Sequence, residues 1–157
     1  MQTFLPYPDF TASAAALDSK RLGKQRVEAL QVLRAVTRVT YGWKRHPAVR
    51  MWVGYAEGVA AYGMATCLEW VARGGADTVA GTIGVDLAEA GLPSVPRTQH
   101  ELARAYALPD WIGDERVHRS HQAALVRKDP AYYGEMFPDV DPELPYFWPG
   151  APGAAPM

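Results

Sequence analysis

Cysteine is almost missing: Cys67 is the only one in 157 residues, which excludes an internal disulfide framework and an all-thiolate zinc site. No uncharged apolar run reaches the ~18 to 20 residues that a membrane span needs; the longest, residues 58–68, stops at Glu69. The opening MQTFLPYPDF has neither a basic start nor an apolar stretch, so no signal peptide is expected. Phosphate-cradling glycine loops, nucleophile elbows and dinucleotide fingerprints are also missing. No segment alternates apolar and polar residues with period two, so a sheet is not expected. Neither sign of charge dominates: the net charge is −1, which argues against indiscriminate nucleic-acid binding. These absences lead to the expectation of a cytoplasmic protein without a membrane segment.

What is present is the material of a folded core. The chain is 48% hydrophobic and 21% charged, and its length suits one domain that buries about two-thirds of its unfolded surface. Residues 1–157 read as a single helical domain. The charge is unevenly spread. Residues 18–50 hold nine basic groups against Asp18 and Glu28, while residues 129–157 hold five acids and no base. Such asymmetry fits a positive face that steers an anion, and equally a helix solvated by long basic side chains.

Helical periodicity runs through most of the chain. Thr11 can cap a short Ala-rich turn. From Ser19 to about Thr40, Leu22, Val27, Leu30, Leu33, Val36 and Val39 recur as an apolar stripe under a basic outer face. Tyr41-Gly42-Trp43 is expected to end that helix, with Gly at its cap. His46-Pro47 opens a segment apolar on nearly every side that runs to Arg73-Gly74, which predicts one long central helix. A weaker helix is expected over 78–90. Thr98 and Glu101 form a capping box for another, up to Leu108. Residues 114–128 form the last expected helix, stopped by Asp129-Pro130. Residues 138–157, rich in proline and aromatics, are expected to be irregular. The fold class is therefore all-α, built around one long apolar helix, with an irregular tail.

Three groups of residues could carry chemistry. On a helix Arg21, Gln25 and Glu28 share a face, and Lys24 sits one turn from Glu28. A carboxylate framed by Arg21, Lys24 and Arg26 would stay ionised beside any anion they attract. The same spacing also fits an ordinary Lys24–Glu28 surface pair. His118 and His121 lie three apart on a helix, a spacing open to a metal, to a hydrogen-bonding pair in a cleft, or to buried structural histidines. No third metal ligand accompanies them, so no metal is expected. The third group is the Met1 amine, since an α-amine is more often neutral, and so nucleophilic, than a lysine.

The run Leu17-Asp18-x-x-Arg21-Leu22-x-x-Gln25-Arg26-Val27-Glu28 resembles the helix motif of the pyrimidine-dimer DNA glycosylases of the phage endonuclease V type. His46-Pro47, with Glu69-Trp70-x-x-Arg73-Gly74 further on, is similar to that family's second helix. The segment from His118 to Lys128, with Pro130, Tyr132 and Tyr133, is similar to its C-terminal helix and tyrosine-rich turn. The nearest likeness is to an uncharacterised bacterial subgroup. The resemblance spans essentially the whole chain. It implies a small α-helical protein that works without cofactor or metal on double-stranded DNA carrying a damaged or modified base, with no obligatory protein partner. It implies an N-glycosylase with an associated abasic-site lyase, in which an N-terminal amine forms a Schiff base with the sugar C1′. Matched by position, Glu28 is the catalytic carboxylate and Met1 carries the amine. Arg21, Lys24, Gln25, Arg26, Lys44, Arg45, His46, His118 and His121 would contact DNA. Val27 stands where the family has Arg, and the N-terminal arm is longer. Other readings are a DNA- or nucleotide-binding protein of the same fold without catalysis, and a small-molecule hydrolase or binding protein using a His118/His121 cleft.

Overall fold

The structure is a computed structural model that describes residues 1–150; residues 151–157 of the expected irregular tail lie outside the described residues. Among the described residues eight helices follow one another: α1 (Phe10–Ala16), α2 (Ser19–Thr37), α3 (Pro47–Arg50), α4 (Ala56–Ala72), α5 (Val79–Glu89), α6 (Gln99–Arg104), α7 (Glu115–Lys128) and α8 (Pro130–Met136). No strand occurs among the described residues, and the all-α expectation holds.

Short polar side chains start the helices where their backbone N–H groups lack partners. Asp9, rather than Thr11, caps α1 by accepting from Ala12 N. Asp18 caps α2 by accepting from Arg21 N. The Thr98–Glu101 capping box is present in both directions at α6.

Four boundaries differ from the sequence reading. The helix expected to reach Leu108 is the short α6, which ends at Arg104. The helix α2 ends at Thr37 with extended backbone at Arg38, so Gly42 does not cap it. The expected long helix from Pro47 is two helices. His46 caps α3, the backbone then turns, and Gly54 takes a left-handed φ of 87° before α4 begins. The turn drives Trp52 inward, where it is fully buried and its indole N–H donates to Thr3 Oγ1 at 3.0 Å. Finally, Asp129-Pro130 stops α7 and also starts α8, with Pro at the first helical position and Asp129 accepting from Tyr132 N.

Two apolar clusters hold these helices together. One lies among α2, α4 and α5 around Trp52, Tyr62 and Trp111. The other lies under α7 and α8 around Leu17, Leu22, Leu125 and Tyr133. The N-terminal arm, residues 1–9, runs along the seam, with Leu5 in the first cluster and Phe4 in the second. Burying these two side chains contributes about 1.5–3 kcal/mol each. Trp70 seals the far side of α2: a Cβ on Gly23 would come within 3.1 Å of its ring, and one on Gly75 within 2.2 Å. Arg73 ends α4 by donating to Ala15 O at 3.1 Å and to Glu69 Oε1 at 2.9 Å, which ties α4 to the α1–α2 junction.

Candidate active site

An arm without secondary structure must satisfy its buried N–H and C=O groups through side chains, and this requirement builds the site. Gln25, on the inner face of α2 and 1% exposed, uses its whole amide. Its Oε1 accepts from Phe4 N at 2.7 Å, and its Nε2 donates to Gln2 O at 2.9 Å and to Glu28 Oε2 at 2.8 Å. The Tyr62 hydroxyl lies 2.7 Å from both Phe4 O and Gln25 Oε1. Burial and the nearby Glu28 charge push its pKa well above the usual phenol value, so it remains a donor.

Glu28 is the neighbour that Gln25 orients. Its Oε2 also accepts from Gln2 N at 3.3 Å, and its Oε1 lies 3.8 Å from Lys24 Nζ. One carboxylate oxygen is thus fixed in the protein, and the other meets an exposed cation at the rim. The resulting pocket holds about 520 Å³, with Met1, Lys24, Glu28, His46, Tyr146 and Trp148 among its walls. Lys20, Arg21 and Lys128 add positive charge to its rim. His46 feels its surroundings directly: burial, then the positive Met1 amine, lower its pKa, against an opposing pull from Glu28.

The other sequence candidates divide. Arg21 lines the pocket while pairing with Asp18 at 3.2 Å. Burial would raise the Asp18 pKa, but hydrogen bonds from Tyr133 and Arg21 hold it below the usual carboxylate range. Arg26 is turned away from the pocket, bonded to Asp77 and 4.5 Å over the Trp70 ring. Lys44 and Arg45 line a shallow depression with Tyr41 and Trp43 that shares only His46 with the pocket. Lys44 Nζ donates to Ala35 O at 2.7 Å.

His118 and His121 form no cleft. Both are buried beneath the arm and clamp one residue of it. His121 Nδ1 accepts from Leu5 N at 2.9 Å, and His118 Nδ1 lies 2.8 Å from Leu5 O. Because Gly113 N donates to His118 Nε2 at 2.9 Å, the His118 proton sits on Nδ1 and is given to Leu5 O. Each ring does this in its neutral form, because burial next to apolar groups disfavours the imidazolium. Burial lowers the His118 pKa, and burial with the nearby His118 pushes His121 down to about 3.

An acid-linked loss of stability follows. A histidine whose folded pKa lies below the unfolded value of about 6.5 leaves stability intact above that pH and withdraws it as pH falls toward the folded pKa. His121 alone is expected to remove about 2 kcal/mol between about pH 6.5 and pH 5. Urea unfolding at the two ends of that window, in wild type and in His121→Asn, checks this. The variant's Oδ1 stands where Nδ1 accepts from Leu5 N, so it keeps that acceptor and should lose most of the slope; equal slopes would assign the acid sensitivity elsewhere.

Sequence reasoning missed Lys20, Lys128, Tyr62, Tyr146 and Trp148. Lys20 was findable, since it lies one turn before Lys24 on the same face. The others reach the site from distant segments, and no spacing signals that.

A family model for pyrimidine dimer DNA glycosylases matches residues 1–80 of the chain, the part that holds the arm and α1 to α4. No curated protein and no solved structure matches it.

Proposed function

The chain belongs to the pyrimidine dimer DNA glycosylase family, and from that premise we propose that the pocket between the arm and α2 is where the glycosidic bond of a dimerised pyrimidine is cut. The observation that carries this reading is the Gln25 amide, which joins the first residues of the chain to Glu28 through three hydrogen bonds. It brings an α-amine and a fixed carboxylate to one positively rimmed pocket, the pair that this chemistry needs.

In the proposed reaction the neutral Met1 amine attacks the sugar C1′. The C1′–N bond to the base breaks, its electron pair leaves with the base, and the base takes up a proton. Loss of a proton from the nitrogen and opening of the ring then give a protonated Schiff base, with O4′ taking up the proton that completes a hydroxyl. Glu28 stabilises positive charge on the sugar and carries protons between these atoms. Removal of a C2′ proton from the Schiff base, with departure of the 3′ phosphate, would then nick the strand. Lys20, Lys24, Arg21 and Lys128 hold the phosphates on either side. The reaction so written uses no metal and no cofactor.

The test is excision on a duplex holding a single pyrimidine dimer, with an undamaged duplex as control and borohydride present. Excision at the dimer with a covalently trapped protein–DNA adduct is the expected result. Salt-dependent binding without excision would favour the reading as a DNA-binding protein of the same fold.

A further inference from the structure

We propose that Trp43 is a base-stacking residue that recognises an interrupted base stack next to the reaction pocket. This deepens the reading just given and rests on it. Trp43 is 57% exposed and holds a left-handed φ of 69°. Side chains rarely adopt that conformation, and it recurs where function fixes a strained backbone. The adjoining Gly42 would take it without strain, yet Gly42 is not among the residues with positive φ.

The surrounding turn is held in place. Lys44 Nζ donates to Ala35 O at 2.7 Å, His46 N donates to Trp43 O at 2.8 Å, and the Trp43 and His46 rings meet edge to face at 5.9 Å. His46 in turn meets Trp148 at 6.2 Å on the pocket side. A line of rings thus leads from the pocket to the exposed indole, and Arg45, exposed in the same turn, supplies charge complementary to a phosphate.

The partner's chemistry follows from geometry. In an intact duplex both faces of every base are covered by neighbours, so an indole finds no face to stack on. A lesion that breaks the stack uncovers one, and aromatic stacking on it is sequence-tolerant and strong. Trp43 would then add affinity only at damage, while Arg45 adds it everywhere.

The probe is a duplex in which an uncleavable abasic analogue faces 2-aminopurine, a fluorescent adenine analogue whose emission falls on stacking. Wild-type protein is expected to quench it. Trp43→Ala should lose the quench and about ten-fold or more in affinity for this duplex. It should bind intact duplex as wild type does and keep the same salt slope, because no phosphate contact is lost. Trp43→Phe should retain part of the quench. Trp43→Gly relieves the backbone, so its melting temperature should not fall while its quench is lost, which separates stacking from folding. Wild-type quench and affinity in Trp43→Ala would overturn the proposal, as would a wild-type protein that leaves the probe bright. If dimers are excised but Trp43→Ala behaves as wild type, only this proposal fails. If the quench is lost in Trp43→Ala but wild type excises nothing, only the catalytic reading fails.

Discussion

Glu28→Gln is expected to lower single-turnover excision by about a hundred- to ten-thousand-fold, the usual range for losing a positioned acid–base or charge-stabilising group. Melting temperature and DNA affinity should stay close to wild type. The two carboxylate oxygens are used differently. Oε2 accepts from Gln2 N and Gln25 Nε2, and an amide oxygen placed there can accept both. Among the described residues the polar partner of Oε1 is Lys24, 3.8 Å away at the rim, and an NH2 group placed there breaks neither hydrogen bond of Oε2. The variant thus keeps the arm in place and removes the negative charge that the proposed reaction sets against the sugar. Glu28→Ala would be a poorer test, since it leaves two buried donors unpaired at about 1–3 kcal/mol each and loosens the arm as well. Unchanged turnover in Glu28→Gln would assign the carboxylate to holding the arm.

Blocking the Met1 amine is expected to abolish borohydride trapping altogether. Acetylation turns the amine into an amide, whose lone pair is delocalised and not nucleophilic, and it adds little bulk. A covalent step needs the attacking nitrogen about 3–3.5 Å from the sugar carbon, so loss of the nitrogen's reactivity cannot be offset by binding. The base rate is against any terminus having a role, because most fray. This one is tied down: Gln2, Thr3, Phe4 and Leu5 are all buried, and Gln25, Glu28, His118 and His121 hold the backbone of Gln2, Phe4 and Leu5. The comparison is untagged against N-acetylated protein on abasic-site and dimer-bearing duplexes. Equal trapping by both would move the nucleophile to a lysine, Lys24 first, as its Nζ lies beside Glu28 in the same pocket.

The sequence by itself determined the helical class, the capping box at Thr98, the course of most of α2 and α7, and the grouping of Lys24, Gln25 and Glu28 on one helical face. These are local matters, fixed by a 3.6-residue period and by which side chains can accept from free N–H groups. It could not locate the break between α3 and α4, because a segment apolar on every side has no phase to lose. It read Pro130 as a stop only, although a proline that ends one helix suits the first turn of the next.

The tertiary structure alone decided which charges are available. The cationic stretch of residues 18–50 looks like one patch, yet Asp77 takes Arg26, and Asp86 takes Arg34 at 2.5 Å and Arg38 at 3.6 Å. Lys20 and Lys24 are left at the pocket with Met1 and Glu28. It also decided that His118 and His121 serve the arm and form no cleft. The physical reason is the same for both. An ion pair or a buried hydrogen bond depends on a partner dozens of residues away, and periodicity within one helix carries no information about which distant segment will supply it.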